Sequence, residues 1–472
     1  GAGWRIEQYT CPTGTGFHPG INTCDWLYNL PPNICDGITH RPTDAPTTRP
    51  PPITTTQPTT VTTTEPTTVS TTEPTTVTTT EATTVTTTQT TTITTTQSTT
   101  VTTTEPTGAK RVVCYFGAWA FYRPGEASFD IDDIDPHLCT HLCYGFANMD
   151  NQTWEAVAYD PWYDLAPWDE GCDGDHCHYD SFRRFNKLKE QNPALKTLLS
   201  IGGWNTGSGQ WSQMAIDPAK RNIFISSAVK LAKTFGFNGI DFDWEYPGDR
   251  AGSDVEHDKD DFTALVEEFS SALHAEGLML TAATSPDFER LDVGMDLPRV
   301  AAALDFMNVM AYDYHGAWDN FTGLNTPMYG RKEEKNADHP GYRFNVHDSI
   351  SYYISKGADP KKLNLGTAAY GRGFTIPDIA EVGLYCPAFE PIPGGHNTHE
   401  PGMWSYYEIL EGLNNDTLPI LPDATPKQWQ TIVDGCALSP FIFNGPYWIG
   451  FDNPESIALK AQYANYRGLG GA

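Results

Sequence analysis

The sequence predicts an α/β fold, a (β/α)8 TIM barrel, over residues 108–472. Short runs of β-branched and aliphatic residues alternate there with longer amphipathic segments, a pattern typical of a parallel sheet whose strands are joined by helices. Seven or more such units in one body favour a closed barrel over an open sheet. The candidate strands are Arg111–Phe116, His141–Phe146, Lys196–Ile201, Gly239–Asp243, Leu278–Ala283, Phe306–Ala311 and Leu363–Ala368.

Two amphipathic segments, Ala219–Phe235 and Asp258–Glu276, are the clearest candidate helices. In the first of them, apolar residues recur at near-helical spacing. The interval of about 374–445, between the seventh strand and the last helix, is too long for an ordinary loop. We therefore expect a small α+β insertion after strand seven.

Residues 41–107 form a low-complexity segment in which 37 of 67 residues are threonine and an aliphatic residue recurs every eighth position. A period of eight is compatible with stacked β-structure, but one aliphatic side chain in eight cannot bury enough surface to offset chain entropy. The composition is typical of a disordered Thr/Pro-rich linker that is O-glycosylated, which implies a secreted, extracellular protein. The linker separates a head, residues 1–40, from the body, residues 108–472.

The chain of 472 residues is strongly acidic, with 30 Lys and Arg against 59 Asp and Glu and a formal net charge of −29. Nucleic acids and anionic membranes bind clusters of Lys and Arg, so the charge argues against either as a partner. The sequence has no run of ~18 apolar residues, so we predict no membrane-spanning helix. Because the first residues lack Met and an apolar leader, we expect any secretion signal to have been removed or omitted.

The sharpest chemical signal is a series of acidic residues at alternate positions, Asp241, Asp243 and Glu245. Successive side chains of a strand point to opposite faces, so these carboxylates share one face with nearest Cα atoms ~6.6 Å apart, while the apolar residues between them pack outward. Mutual repulsion and partial burial should raise one pKa and leave a carboxylic acid near neutrality. Glu245 follows the strand's carboxyl end, where the active sites of such barrels lie.

Three interpretations of the acidic series are open from the residues alone. Carboxylates are suitable ligands for Ca²⁺ or Mg²⁺, and they can also form a solvated, purely structural edge. Aromatic residues on both sides and the lack of other oxygen ligands nearby favour a sugar site, and hence cleavage of a glycosidic bond. We predict no metal and no other cofactor, while Asp243 could still be a nucleophile at this stage.

The segment Ser200-Ile-Gly-Gly-Trp204, followed by Asp241-Phe-Asp-Trp-Glu245-Tyr-Pro247, resembles the paired signature of glycoside hydrolase family 18 chitinases. The resemblance extends through most of the body. Further segments that resemble the family, in the family's order, are Val113–Phe116, Cys139–Leu142, Met310–Gly316, Tyr370–Arg372 and Trp448–Gly450.

This resemblance implies a retaining reaction without an enzymatic nucleophile. Glu245 would protonate the glycosidic oxygen, and the N-acetyl carbonyl of the substrate would then attack the anomeric carbon. Asp243 would orient and stabilise that acetamido group, and Asp241 would share a proton with Asp243. Tyr312 would donate a hydrogen bond to the acetamido oxygen.

The resemblance also implies side chains that bind substrate. Trp204 and Trp318 would stack against sugar faces, although either could be a core residue, and Arg372 could instead form a structural ion pair. The implied set, whose other members shape the pocket or contact sugar hydroxyls and carbonyls, is Tyr115, Phe146, Trp204, Met310, Asp313, Trp318, Tyr370 and Arg372.

Two features of the body depart from the family pattern. Asn238 stands where the family usually has Asp, so we expect Asp241 to lose a proton-sharing neighbour and the pH profile to shift with activity retained. The chain stops at Ala472, where relatives run into an eighth strand that carries a tryptophan of the catalytic subsite. We therefore expect the eighth strand to be missing and the chain to be a fragment.

The head resembles the second half of a peritrophin-A-type chitin-binding module through Cys11, Gly16-Phe17, Cys24, Asp25-Trp26 and Cys35. By analogy, Cys11 would pair with Cys24, and the partner of Cys35 would be absent. The alternative is a disordered tail that bears cysteines. The order of modules and stalk resembles that of arthropod chitinases.

Seven of the ten cysteines lie in the body. The Cys172–His178 segment could suggest zinc, since Cys and His are its usual ligands, but a disulfide in a surface loop is favoured in an oxidising compartment. The resemblance supports the first of three expected pairs, and Cys143 would be left as a buried thiol on strand two. The expected pairs are Cys114–Cys139, Cys172–Cys177 and Cys386–Cys436.

Three Asn-X-Thr triplets are candidate sites of N-linked glycosylation. Their asparagines are Asn151, Asn320 and Asn415. Such triplets often go unmodified, so the sequence identifies acceptors and not their occupancy.

Three functions compete at this stage. The first is a secreted, monomeric endochitinase that cleaves β-1,4-linked N-acetylglucosamine polymers and is held near insoluble chitin by its head and linker. The second is a non-catalytic chitin-binding lectin on the same barrel, and the third is a mucin-like structural component. The acid position is occupied by Glu245, which favours the enzyme.

Overall fold

The computed structural model describes residues 110–165, 180–414 and 429–472, together with the backbone of two short strands in the head. These strands, β1 (Thr15–His18) and β2 (Thr23–Trp26), pair antiparallel. The predicted linker lies outside the described residues. So do Cys11, Cys172, Cys177, Asn415 and the side chain of Cys24, and the predictions made for them stay predictions.

The body contains a parallel sheet whose strands follow one another in chain order. Each candidate strand of the sequence analysis overlaps one of its members. A short antiparallel strand, β5 (Ala156–Ala158), extends the edge of the second member. The parallel strands are β3 (Val113–Gly117), β4 (His141–Met149), β6 (Lys196–Gly202), β7 (Gly239–Asp243), β8 (Met279–Thr284), β9 (Phe306–Val309) and β10 (Leu363–Leu365).

Helices connect these strands. The fourth helix, Pro218–Phe235, begins and ends at residues that favour helix termini. The Asp217 side chain accepts a hydrogen bond from the Ala219 N–H at the start, Pro218 occupies the first turn, and Gly236 ends the helix. The helices are α1 (Pro161–Asp164), α2 (Ser181–Gln191), α3 (Gly209–Ala215), α4 (Pro218–Phe235), α5 (Asp258–Ala275), α6 (Phe288–Gly294), α7 (Leu297–Ala303), α8 (Val346–Ser355), α9 (Tyr406–Asn414) and α10 (Pro454–Tyr466).

Residues 470–472 lie between β3 and β10, in the position of an eighth strand. Gly471 forms parallel bridges with both Arg111 and Asn364, and the Leu365 N–H donates to the Gly471 carbonyl at 3.1 Å. A Cβ atom on Gly471 would lie 2.2 Å from the Arg111 carbonyl oxygen, so glycine permits this close approach. Residues 470–472 thus pair where an eighth strand would begin, but they form isolated bridges and not a strand, so the expectation about strand eight stays a prediction.

The side chains of β7 alternate as predicted between the barrel interior and the helical layer. Ile240, Phe242 and Trp244 are buried in the main hydrophobic cluster. The ring centroid of Phe242 lies 5.4 Å from that of Trp211 in α3 and 6.1 Å from that of Phe262 in α5. This packing holds β7 against its helices and directs the acidic residues of the strand to the opposite face.

A second, antiparallel sheet with its own small hydrophobic clusters is formed mostly within the segment for which an insertion was predicted. It begins before residue 374, at Tyr370. Its order is β12-β11-β16-β15-β14, and β13 also pairs with β11. The strands are β11 (Tyr370–Thr375), β12 (Glu390–Pro391), β13 (Met403–Ser405), β14 (Gln430–Asp434), β15 (Ser439–Asn444) and β16 (Tyr447–Gly450).

One predicted cysteine pair is confirmed and another is wrong. Cys114 and Cys139 form a disulfide with Cα atoms 6.1 Å apart, and Cys143 is a buried free thiol as expected. Cys386, however, is also free, while Cys436 is disulfide-bonded. Because a sulfur forms a single disulfide, the predicted Cys386–Cys436 pair is excluded.

A buried ion pair fastens the last helix to the barrel. The Lys460 ammonium lies 2.6 and 2.7 Å from the Asp452 carboxylate oxygens and donates to the Thr326 carbonyl at 2.9 Å. Both charged side chains are buried. Removal of one partner from such a pair leaves an uncompensated charge in a dry environment, which is far more costly than loss of both.

We predict that Lys460→Met lowers the free energy of unfolding by about 3–5 kcal/mol, because the Asp452 charge is left unpaired. Denaturant unfolding of the full chain measures this change. The double variant Asp452→Leu/Lys460→Met should recover most of the loss. As a control, Lys233→Met removes an ion pair with Glu276 whose partners are both largely exposed, and it should cost about 1 kcal/mol or less. Equal losses of unfolding free energy for Lys460→Met and Lys233→Met would contradict the conclusion that burial makes the Lys460–Asp452 pair the more costly one to break.

Candidate active site

The acidic series lies where the sequence predicts it, at the carboxyl end of β7. Asp241 and Asp243 are buried on the interior face of the sheet, and Glu245 follows two residues after the strand ends. The neighbouring strand β6 approaches at this point, since the Gly203 N–H donates to the Asp243 carbonyl at 2.8 Å. A Cβ atom on Gly202 would lie 2.0 Å from that same carbonyl oxygen, which explains the first glycine of the Gly-Gly pair before Trp204.

Asp241 is the centre of a hydrogen-bond network drawn from four other strands. Its carboxylate accepts from Tyr115 Oη at 2.9 Å, Ser200 Oγ at 2.9 Å, Thr281 Oγ1 at 2.6 Å and Asn308 Nδ2 at 3.2 Å. Burial raises the pKa of Asp241, and these hydrogen bonds oppose that rise because they stabilise the anion. Tyr115 was expected only to shape the pocket, but its hydroxyl also donates a hydrogen bond directly to Asp241.

Asp243 has a different environment. Its Oδ1 atom is buried without a hydrogen-bond partner among the described residues. Burial raises the pKa of Asp243 well above its usual value, and the charges of Glu245 and Asp241 raise it further. A buried oxygen without a hydrogen-bond partner lowers the stability of the folded protein. A ligand that donates a hydrogen bond to Asp243 Oδ1 removes this cost and therefore binds more tightly.

Glu245 is partly buried at the rim of the same site. Burial raises its pKa, the hydrogen bond with Tyr246 opposes this, and the charge of Asp313 adds to the rise. The positive charges of Arg250 and Arg290 act in the opposite direction. One raised pKa was predicted from repulsion and partial burial; the pKa is raised for all three carboxylates, and burial is the largest cause for each.

The second sheet contributes to the site through β11. The Asp313 carboxylate accepts from Tyr370 Oη at 2.7 Å, and from Arg372 Nε at 2.7 Å and Nη2 at 3.0 Å. Arg372 thus forms the ion pair that was the alternative interpretation. The ring of Tyr312 lies edge-on to that of Tyr370, with centroids 6.0 Å apart, and burial raises the pKa of Tyr312, so its hydroxyl stays protonated and can donate.

Three tryptophans expose large parts of their rings around the site. Trp204 and Trp318 are 56% and 59% exposed, which excludes the core interpretation for both. Trp119, which the sequence analysis missed, is 55% exposed and stacks on Phe146 with centroids 6.0 Å apart and planes 9° apart. Its position two residues after β3, at the carboxyl end of a strand, was the available signal.

The remaining predicted residues can also be placed. Met310 is almost fully buried directly after β9, consistent with a pocket floor. Ser200, Thr281 and Asn308 were missed by the sequence analysis, although polar residues at inward positions of neighbouring strands could have indicated them. The sequons at Asn151 and Asn320 have exposed asparagines, and their modification stays a prediction.

The contacts of Asn238 argue against the premise that this position is a proton-sharing neighbour of Asp241. The Asn238 Oδ1 accepts from the Thr197 N–H at 3.0 Å and from Lys189 Nζ at 3.4 Å, before β7 begins. Asn238 precedes Asp241 by three positions, so in an extended chain the two side chains point to opposite faces and their Cα atoms lie ~10 Å apart. Asp241 finds its hydrogen-bond partners elsewhere, so Asn238 is not part of the proton-sharing series.

No group of three or more His, Cys, Asp or Glu that could hold a metal ion is present in the described part of the chain. Within the same residues, no helix is both long and apolar enough to cross a bilayer.

The glycosyl hydrolases family 18 matches residues 111–472. Chitotriosidase-1 of Mus musculus is 34% identical over 371 residues, which cover 77% of this chain and 72% of that protein. The match covers smaller shares of several other curated relatives, for example 15% of the probable chitinase 10 of Drosophila melanogaster and 62% of the endochitinase of Manduca sexta.

Solved structures resemble the body in the same way. The group IV chitinase of Ostrinia furnacalis in complex with allosamidin is 37% identical with a TM-score of 0.70, over 77% of this chain and 91% of that one. Human YKL-39, described as a pseudo-chitinase that retains chitooligosaccharide binding, is 29% identical with a TM-score of 0.65, again over 77% and 91%. The chain therefore belongs to glycosyl hydrolases family 18.

Proposed function

We propose that this family 18 glycosidase hydrolyses the β-1,4 linkages between N-acetylglucosamine units of chitin, with Glu245 as general acid and base. The observation that carries the proposal is the geometry around Glu245. It lies at the carboxyl end of β7, burial raises its pKa, and the same strand presents Asp241 and Asp243 on one interior face. A carboxyl group that holds its proton near neutrality is suited to protonate a leaving oxygen.

The proposed reaction is retaining and assisted by the substrate. Glu245 donates its proton to the glycosidic oxygen as that bond breaks, and the acetamido oxygen of the same sugar forms a bond to the anomeric carbon. Water then attacks this carbon from the side of the departed sugar, the bond between the carbon and the acetamido oxygen breaks, and the water gives a proton to Glu245, which restores the acid. Two displacements at one carbon retain its configuration.

The buried carboxylates supply the groups that this reaction needs. Asp243 presents an unpartnered Oδ1, which accepts the acetamido N–H and stabilises the positive charge of the cyclic intermediate. Asp241, held by four donors, shares a proton with Asp243. Tyr312 donates its hydroxyl to the acetamido oxygen, and Asp313 with Arg372 contacts sugar hydroxyls and carbonyls beside it.

The remaining parts of the proposal concern the whole protein. Exposed Trp204 and Trp318 stack on sugar rings of the polymer, since flat indole faces are suited to that contact. The Cys114–Cys139 disulfide supports a secreted protein, because such bonds persist in oxidising compartments. We further propose a monomer in which residues 1–40 bind chitin and residues 41–107 form the linker to the catalytic barrel, residues 108–472.

A second candidate function is chitin binding without turnover. It is favoured by the similarity to YKL-39, which retains chitooligosaccharide binding as a pseudo-chitinase. The presence of Glu245 at the acid position favours the enzyme. Substitution of Glu245 separates the two functions, since only an enzyme loses turnover when that carboxyl group is removed.

We predict that Glu245→Gln lowers kcat on chitin oligomers about 10²–10⁴-fold, because the amide cannot donate the proton. Oligomer binding, measured by calorimetry, should be retained, since the side chain keeps its shape. Glu276→Gln is the matched control, because this acid lies at the C-terminal end of α5, remote from the site, and should leave kcat unchanged. Slow turnover that is equal in the parent and in Glu245→Gln would instead favour the binding function.

We predict a pH profile whose alkaline limb reports Glu245. The general acid must be protonated, and its pKa is raised, so activity should persist above the ordinary carboxyl range and fall as pH rises through the raised value. Asn238→Asp should leave this limb in place, because Asn238 contacts Thr197 and Lys189 and not the acidic series. Profiles of kcat/KM against pH test both statements, and a shifted limb in Asn238→Asp would contradict the second.

A further inference from the structure

Arg250 connects two parts of the site that the proposed reaction uses separately. It lies in the loop between β7 and α5 and is half-buried. Its Nη1 donates to the backbone carbonyl of Trp204 at 2.7 Å and to that of Glu245 at 3.1 Å. The guanidinium carbon lies 3.7 Å from the centroid of the Trp204 ring.

The contact with Trp204 covers only part of the indole. A guanidinium over a ring face is attracted by the negative charge of the π system. The ring is still 56% exposed, so a flat surface stays available to a sugar. Trp204 begins a short 3₁₀ turn, Trp204–Thr206, that links β6 to α3, and the guanidinium restrains the ring from one side.

A chain of hydrogen bonds connects the backbone of Arg250 to a buried tryptophan. The Arg250 N–H donates to Ser253 Oγ at 3.2 Å, and that hydroxyl donates to Ser208 Oγ at 2.7 Å. Ser208 Oγ also accepts from the indole N–H of buried Trp244 at 2.6 Å. The loop that carries Arg250 is therefore tied to the outward face of β7, the strand whose inward face holds the acidic residues.

We propose that Arg250 is a positioning residue that sets the height and orientation of the Trp204 platform relative to Glu245. This inference rests on the proposed glycosidase function. By binding both carbonyls with one guanidinium, Arg250 fixes the distance between the sugar-stacking ring and the acid. Its loss should weaken binding of chitin oligomers that are long enough to reach Trp204 more than it slows the chemical step.

The charge of Arg250 also bears on Glu245. The groups that face this carboxyl are Asp243, Asp313, Tyr246, Tyr312, Arg250 and Arg290. Burial and Asp313 raise the pKa of Glu245, while Tyr246, Arg250 and Arg290 lower it. Removal of the Arg250 charge thus raises the pKa further and moves the alkaline limb to higher pH, whereas Arg250→Lys keeps the charge and leaves the limb closer to its original position.

The test is a double-mutant cycle in the full chain with Arg250→Met and Trp204→Leu. Arg250→Met alone should raise KM for long chitin oligomers about two- to thirtyfold, the range expected for a lost cation–π contact, with a smaller change in kcat. In the Trp204→Leu background this KM effect should disappear, while the upward shift of the alkaline limb should persist. Arg299→Met is the control, since Arg299 forms an exposed ion pair with Glu267 elsewhere.

An Arg250→Met effect on KM that is equal in both backgrounds, or no effect in either, would overturn the proposal. Thermal unfolding of each variant detects a mere loss of folding, and Arg250→Lys provides a milder variant if Arg250→Met does not fold. If the parent does not hydrolyse chitin oligomers at all, the proposed function fails. The same cycle, measured as oligomer affinity by calorimetry, then still decides whether Arg250 acts through Trp204.

Discussion

The site depends on one electrostatic constraint, which is the burial of two neighbouring carboxylates, Asp241 and Asp243, inside the barrel. A buried carboxylate is costly unless it is hydrogen-bonded or protonated. The fold meets this constraint unequally, because four donors from four strands converge on Asp241, while Asp243 keeps an unpartnered oxygen. In the proposed reaction this inequality gives the two residues separate roles, and Glu245, at the rim, is the carboxyl group that exchanges a proton with substrate.

The antiparallel sheet contributes a further positive charge to the site, the guanidinium of Arg372 beside Asp313. Asp313 follows β9, and its partners Tyr370 and Arg372 lie on β11. Since the charge of Asp313 is one cause of the raised pKa of Glu245, the pairing with Arg372 links the second sheet to the acid. In a similar way, the proposed positioning of Trp204 by Arg250 links the loop after β7 to the turn between β6 and α3.

Much of the fold was predictable because its signals are local. The candidate strands overlap the seven parallel strands of the sheet, and the two-residue alternation of β7 correctly assigns Phe242 to the helical layer and Asp241 to the interior. Predictions that required knowledge of distant contacts were less secure. The pair Cys386–Cys436 is excluded, and Asn238 contacts Thr197 instead of the acidic series.

The sequence by itself determined the order of the elements, the shared face of the three carboxylates and the motifs that identify the family, since each depends on residue type and short spacing. The tertiary structure alone decided which side chains meet. It joined Tyr115 and Asn308 to Asp241 across the barrel, exposed Trp119 and placed Gly471 beside Arg111. The physical reason is that burial, and with it the direction of each pKa, depends on strands distant in sequence that pack around one point.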